Sequence, residues 1–222
     1  MSIQKNQRAL IVISQLTRGV DQDQRWLYRF IESSGRDVVE STLKDDYADY
    51  VTLYDQSATK ANLLNTVRAI GAKPTIKEID LVVMLHGSRN SLVFHDAACN
   101  TSILRTDIAN LNLTRKLRMV YSTACHGDSH SDDFVNAGFS AAIGAVAVNA
   151  NAAVELPVFL NLWSWNWRLR DALGAAESPL TRVPADEAAK IFGDANNTSW
   201  KDGVNSDKRI RGNGDIKIES NV

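Results

Sequence analysis

Apolar segments that alternate with amphipathic ones predict an α/β protein, a three-layer α/β/α sandwich around a mostly parallel central sheet. Three observations carry the prediction. The stretches Arg8 to Ser14, Ile79 to Leu85 and Leu117 to Thr123 are dominated by apolar and β-branched residues, as strands buried on both faces are. Segments with apolar residues at helical spacing stand between them. Two of the strands stop abruptly at small or reactive residues, one at His86-Gly87 and the other at Ala124-Cys125-His126-Gly127. Carboxyl ends of strands are where open parallel sheets expose their working groups.

The elements follow in order. After the first strand, Asp21 and Asp23 stand in the opening turn of a helix, where the helix dipole favours acids. Trp26, Leu27, Phe30 and Ile31 form its apolar face, and Gly35 is its expected stop. A further short helix is expected within Asp37 to Asp49, then a strand from Tyr50 to Tyr54. Ser57 or Thr59 caps a helix with Leu63, Leu64, Val67 and Ile70 on its apolar side, ending at Gly71. Pro74 separates that helix from the strand Ile79 to Leu85. Leu92 to Asp96 reads as one arm of a small hairpin beside the strand end, and Ile103 to Leu113 as a helix. In the strand Leu117 to Thr123, Leu117, Met119 and Tyr121 are expected on one face. A short helix covers Asp132 to Ala137, and the second half of Ala141 to Val148 is a fifth strand. One long helix is expected from Leu156 to Leu173 and another from Ala185 to Phe192. Residues 1–194 therefore make the α/β domain. Residues 195–222 form a polar segment in which Arg209 to Ile218 reads as an edge hairpin around Asn213-Gly214 or as a flexible tail.

With 222 residues the chain makes one domain, and its apolar fraction of 44% supports a real core. A net charge of −1 gives no electrostatic reason to expect nucleic acid or an anionic membrane as partner. No run is long and apolar enough to span a bilayer. The apolar stretch Ala9 to Ile13 is too short for a signal-peptide core, so a cytoplasmic protein is expected. Cys99 and Cys125 are the only cysteines, too few in such a compartment to expect a structural disulfide.

The two strand ends carry the chemistry. A thiol becomes a useful nucleophile when it is ionised or when a base takes its proton, and histidine is the natural base near neutral pH. Parallel strands bring their carboxyl ends to one edge, so His86 and Cys125 are expected to share a site. The backbone N–H groups of Gly87 and Cys125 are the candidate donors to a developing oxyanion. Arg89, Thr123, His126 and Asp128 are the candidate lining of a substrate pocket.

An apolar strand ending in His-Gly, followed by an apolar strand ending in Ala-Cys-x-Gly, resembles the caspase-like cysteine peptidases: caspases, metacaspases, gingipains, clostripain and CHAT domains. Here His86 precedes Cys125 by thirty-nine positions, against about fifty in caspases. Ala58-Thr59-Lys60 before a Leu-rich helix is similar to the helix opening of gingipain-type members. Gly138-Phe139 leading to Gly144-Ala145 is similar to the segment after the cysteine in CHAT domains, and Ile191-Phe192-Gly193-Asp194 resembles a closing Gly-Asp-Pro stretch with Ala195 in place of the proline. The resemblance runs over roughly Tyr50 to Asp194. It implies a caspase-like fold and a His86/Cys125 dyad that hydrolyses peptide bonds, with a protein or peptide as substrate and no metal or organic cofactor. A protein partner or homodimer is compatible with it. The position two before the cysteine holds an aspartate in metacaspases and a glutamine in caspases. Thr123 stands there in this chain, so neither a basic nor an acidic cleavage preference carries over.

Other readings stand beside this one. Cys125 could be a buried strand residue and His86 a cap on the sheet edge. A caspase-like scaffold with a silent dyad would serve as a binding or signalling module. A flavodoxin-like binding domain is weaker, because Gln15-Leu-Thr-Arg-Gly19 is not a glycine-rich phosphate loop. Cys99, His95, His126 and His130 lack the paired spacing of a zinc site. Phe159, Trp163 and Trp167 are expected as one core face of the long helix, with Trp165 on another.

Overall fold

A computed structural model describes residues 2–196 and 198–222. Its sheet has the order β2-β1-β3-β6-β7-β8. The strands are β1 (Arg8–Gln15), β2 (Asp49–Tyr54), β3 (Glu78–Ser88), β6 (Leu117–Ser122), β7 (Ala141–Ala145) and β8 (Lys208–Gly212). The first five run parallel, and β8 is antiparallel to β7. Two short strands, β4 (Ser91–Val93) and β5 (Ala98–Asn100), fold back on the end of β3. The helices are α1 (Arg25–Leu43), α2 (Lys60–Gly71), α3 (Thr101–Ala109), α4 (Asp128–Asn136), α5 (Ala152–Ser164), α6 (Leu169–Ala176) and α7 (Pro179–Ala195). No helix among the described residues is long and apolar enough to cross a membrane.

Two cores flank the sheet, which makes three layers. On one face Ile11, Ile13, Leu81 and Val83 pack with Leu63 and Val67 of α2, Leu104 and Ile108 of α3 and Phe134 of α4. On the other, Leu10, Val12, Val82 and Met84 meet Val39 of α1, Phe159 and Trp163 of α5 and Leu173 of α6. Right-handed crossovers dictate this split. The chain moves one way from β1 to β2 and the other way from β2 onward, so α1 lies opposite α2, α3 and α4. The strand order therefore reverses between β1 and β3, and ligand crevices of open α/β sheets form at the carboxyl ends at such a reversal.

Several local expectations are corrected. Gly35 does not stop the first helix, which runs on to Leu43 and absorbs most of the second helix expected there. A Cβ on Gly35 would lie 2.9 Å from the Met84 sulfur, so this glycine lets α1 lie close on β3. Leu117 and Met119 do not share a face. Ile79 pairs with Leu117 but Asp80 pairs with Met119, which leaves Arg118 as a bulged residue. Arg118 buries its guanidinium on Asp80, at 2.9 Å and 2.5 Å. The fifth strand occupies the first half of its segment, because Val146 to Val148 pair with the backbone of residues 203–207 instead. The long helix is two, broken at Trp165 to Arg168, where Asn166 has a φ of 65°. Phe159 and Trp163 are wholly buried, but Trp167 lies beyond the break and is exposed, as is Trp165. The helix expected from Ala185 begins at Pro179 and continues through Pro184, and the one expected from Asp132 begins at Asp128.

In the segment 195–222, β8 pairs along β7 from Ala141–Gly212 to Ala145–Lys208. Asn213-Gly214 begins a turn but no second hairpin strand follows. Ile216 and Ile218 instead bury themselves in the core beside α5 and α6. The backbone carbonyls of Ile218 and Ser220 accept hydrogen bonds from Arg118, so the bulged arginine is held from both Asp80 and the chain's last turn.

Candidate active site

The end of β3 positions the histidine. His86 is half-buried, and its Nε2 lies 2.6 Å from the carbonyl oxygen of Leu16, the first residue after β1. A carbonyl only accepts, so Nε2 carries the proton and the lone pair of the neutral ring is on Nδ1. Leu16 is itself held. Its N–H donates to the buried carboxylate of Glu32 on α1 at 2.8 Å, and the second oxygen of Glu32 receives Arg36 at 2.7 Å. The ring of Tyr28, one turn earlier on α1, lies tilted against the imidazole with centroids 5.1 Å apart. Burial pulls the imidazole below its usual pKa of 6.5, against the opposing influence of the Leu16 carbonyl and the Glu32 charge. His86 is therefore a neutral base at pH 7.

The cysteine stands at a sharp turn between β6 and α4. Thr123 still donates its N–H to Val83 of β3 at 2.9 Å, and the Ser122 hydroxyl accepts from Ala124 N–H at 3.2 Å. His126 then takes a φ of 56° and gives its N–H to Ala147 at 2.7 Å, which turns the chain into α4. That turn is wedged in place by two glycines. A Cβ on Gly144 of β7 would fall 2.1 Å from the carbonyl carbon of Gly127, so the backbones of β7 and the α4 entry touch with no side chain between them.

The two strand ends meet. A Cβ on Gly87 would lie 2.4 Å from the backbone oxygen of Cys125 and 3.0 Å from Cβ of Ala124, so the residue after His86 is pressed against the residue that carries the thiol. Tyr28 packs on the histidine. Its ring contacts His86, and its hydroxyl is raised in pKa by burial and by the charge that Cys125 would carry. Among the described residues no hydrogen bond joins the Cys125 sulfur to His86. Burial pushes the thiol up from its ordinary value of 9.0, opposed by the backbone N–H of Asn149 and by the charge of Lys208. At neutral pH both partners are uncharged.

The four candidate pocket residues are spread around this centre. Thr123 is half-buried and gives its carbonyl to the Asn149 side chain at 2.8 Å. His126 is half-buried at the turn, and Arg89 is exposed in the bend between β3 and β4. Asp128 is engaged in a two-pronged pair with Arg211 of β8, at 2.9 Å and 3.0 Å. His130 is buried, with Nε2 2.6 Å from the carbonyl of Ser88, and so ties α4 to the end of β3. Among the described residues no three His, Cys, Asp or Glu side chains converge as a metal site would need. Cys99 lies on β5, its thiol also raised by burial.

Sequence reasoning missed Leu16, Tyr28, Glu32, Asn149 and Lys208. Nothing in their local sequence marks them, since each reaches the centre from another strand or helix. Comparison of the chain with protein-family models and with curated proteins gave no match.

Proposed function

We propose that the chain is a cysteine endopeptidase of the caspase-like kind, with Cys125 as nucleophile and His86 as acid–base group. One observation carries the reading above the others. His86 is tied through Nε2 to Leu16, which leaves its Nδ1 lone pair free on the same sheet edge where a tight turn presents the thiol. Because burial holds both groups neutral, the proton moves during attack rather than before it. Nδ1 takes the thiol proton as sulfur adds to the scissile carbonyl. The oxyanion is received by the N–H groups of Gly87 and Cys125. Nδ1 then gives its proton to the leaving amine, the C–N bond breaks, and an acyl-enzyme remains. Water, deprotonated by the same nitrogen, adds to the thioester, and the sulfur leaves with its proton restored. Leu16 holds the ring in one tautomer throughout. No step calls on Thr123, His126, Arg89 or Asp128, which serve in this reading only to shape the substrate groove.

The test is intact-mass labelling with peptidyl acyloxymethyl ketones that carry Arg, Lys, Asp, Asn or Leu before the reactive carbon. A single adduct on the wild type, lost in Cys125→Ala and His86→Ala but kept in Cys99→Ala, is the expected result. A second reading, a caspase-like binding module with a silent dyad, is favoured by the missing sulfur–imidazole hydrogen bond and the raised thiol. It predicts no peptidyl adduct from any probe while iodoacetamide still alkylates Cys125, and that outcome would replace the first reading.

A further inference from the structure

The start of α1 turns its largest apolar side chains away from the core. Trp26 and Phe30, expected from the sequence on the apolar face of this helix, are 67% and 64% exposed. The buried face carries Glu32, Val39 and Leu43 instead, with Gly35 against Met84. Leu27 and Ile31, the other two residues expected there, are half-buried. An indole and a phenyl ring one helical turn apart form an apolar patch that is costly to leave in water, and tryptophan is among the residues most enriched at interface hot spots. Val154 and Val158, near the start of the α5 helix packed beside α1 in the same layer, are exposed as well.

Trp26, Phe30, Ser33, Asp37 and Glu40 follow one another at steps of four, three, four and three. That spacing keeps them on one seam able to face a second helix. The seam has two unlike halves. Its amino half is aromatic and cationic: Arg25 and Arg29 flank Trp26, and with Gln22 they line an open cleft. Its carboxyl half is acidic, with Asp37 and Glu40 both exposed. Among the described residues Arg25, Arg29 and Asp37 form no ion pair, and the nearby Glu32 is buried and taken by Arg36. Glu40 holds an exposed pair with Lys44 one turn on, which is readily exchanged. Ser33 sits where the halves meet. Its hydroxyl already donates to the Phe30 carbonyl at 3.1 Å, so it needs no other partner, and its small side chain lets another helix come close.

Such a seam is complementary to itself run backwards. Trp26 lies seven positions before Ser33 and Glu40 seven after; Arg29 lies four before and Asp37 four after. Two α1 helices crossing antiparallel at Ser33 set Arg29 of each against Asp37 of the other, and Arg25 and Trp26 of each beside Glu40 of the other. We propose that two copies of this chain pair through the outer face of α1, antiparallel about a two-fold axis at Ser33, with Trp26 and Phe30 as the apolar anchors and Arg25 and Arg29 meeting Asp37 and Glu40 of the second copy. A two-fold contact of this kind closes on itself and stops at a dimer. Tyr28 and Glu32, which face His86 and Leu16, point to the other side of the helix, so the pairing holds whether or not Cys125 is a nucleophile.

The test is sedimentation velocity of the full chain under reducing conditions, from low micromolar to several hundred micromolar. The wild type should pass from one chain mass to two. Trp26→Ser with Phe30→Ser should raise the midpoint concentration by about a hundredfold or more, because each loss counts twice across a two-fold axis. Arg25→Glu with Arg29→Glu makes the seam acidic throughout, and Asp37→Lys with Glu40→Lys makes it basic throughout. Each should weaken self-association, and an equal mixture of the two should give a dimer holding one copy of each, read by native mass spectrometry. All six positions are exposed, and circular dichroism checks the fold. If a charge variant does not fold, the aromatic variant decides alone. A wild type that stays monomeric across the range overturns the proposal; should it then sediment with phosphatidylserine vesicles, the face belongs to a lipid surface instead. A dimer indifferent to the aromatic variant, or charge variants whose mixture is no tighter than either alone, likewise overturns it.

Discussion

Replacing Glu32 by glutamine tests how the proposed catalytic imidazole, His86, is held. The carboxylate is buried on α1 and joins Leu16 N–H to Arg36, and Leu16 in turn fixes Nε2 of His86. Glutamine keeps the size and one carbonyl acceptor but removes the charge. A hydrogen bond to a charged group contributes about 1.5–3 kcal/mol and a neutral one about 1 kcal/mol. Glu32→Gln should therefore lower the unfolding free energy by about 1–2 kcal/mol. Its second effect falls on the base. The Glu32 charge favours the imidazolium of His86, so without it the imidazole titrates lower still. The labelling rate with the best peptidyl ketone, followed from pH 5 to 9, should keep its shape while its acid limb moves to lower pH. The plateau should fall severalfold, since a weaker base takes the thiol proton less readily. Glu32→Ala leaves the Leu16 N–H without a partner and should cost about 1–3 kcal/mol more. An acid limb and plateau equal to those of wild type in folded Glu32→Gln would refute the reasoning, and Glu32 would then be a core contact with no hold on His86.

Two further outcomes follow from the same geometry. Gly87→Ala puts a Cβ against the Cys125 carbonyl and Ala124, neither of which is the flexible end of a side chain. It should cost about 1–3 kcal/mol in denaturant unfolding and abolish peptidyl labelling, and a stable, fully labelled variant would show that the two strand ends are not pressed together. Glu78 is wholly buried with one oxygen unpartnered, and burial raises its carboxyl from 4.5 to about 7. Between those values the folded state keeps a proton that the unfolded state has lost. The resulting stability is full below about pH 4.5 and is lost as pH rises through 7, by up to about 3 kcal/mol. Glu78→Gln should remove this loss, so its unfolding free energy relative to wild type should climb between pH 5 and 8; a flat difference would mean that Glu78 is already ionised.

How much of this was legible in the sequence depends on the distance over which each constraint acts. Strands β1, β3 and β6 declare themselves through unbroken apolar runs because both their faces are buried, and the two strand ends declare the candidate dyad because periodicity stops there. The helix boundaries were harder. Gly35 reads as a stop locally, yet the close approach of α1 to Met84 keeps it helical. Pro157 and Pro184 each lie inside their helix, at its sixth residue, where the missing N–H removes one hydrogen bond. The turn at Asn166 splits an apolar run whose composition does not change. The alternation of β6 failed at Arg118 because the bulge answers a buried acid on the neighbouring strand. The residues that tune the site were invisible for the same reason. Glu32 lies sixteen positions from Leu16, and Lys208 lies fifty-three from Glu155, and only the folded chain brings either pair together.

The antiparallel strand β8 also sets a clock. Its partner β7 precedes it by about sixty residues, which at typical synthesis rates of about 5–20 residues per second is a delay of several seconds. Through that interval the outer edge of β7 is open, and residues 146–148 lack the backbone partners that residues 203–207 supply. The histidine half, built from β1, α1 and β3, is complete long before. The part of the sheet edge that carries His86 thus forms early, and the loop beside the Cys125 turn settles only once the last strand has closed the sheet.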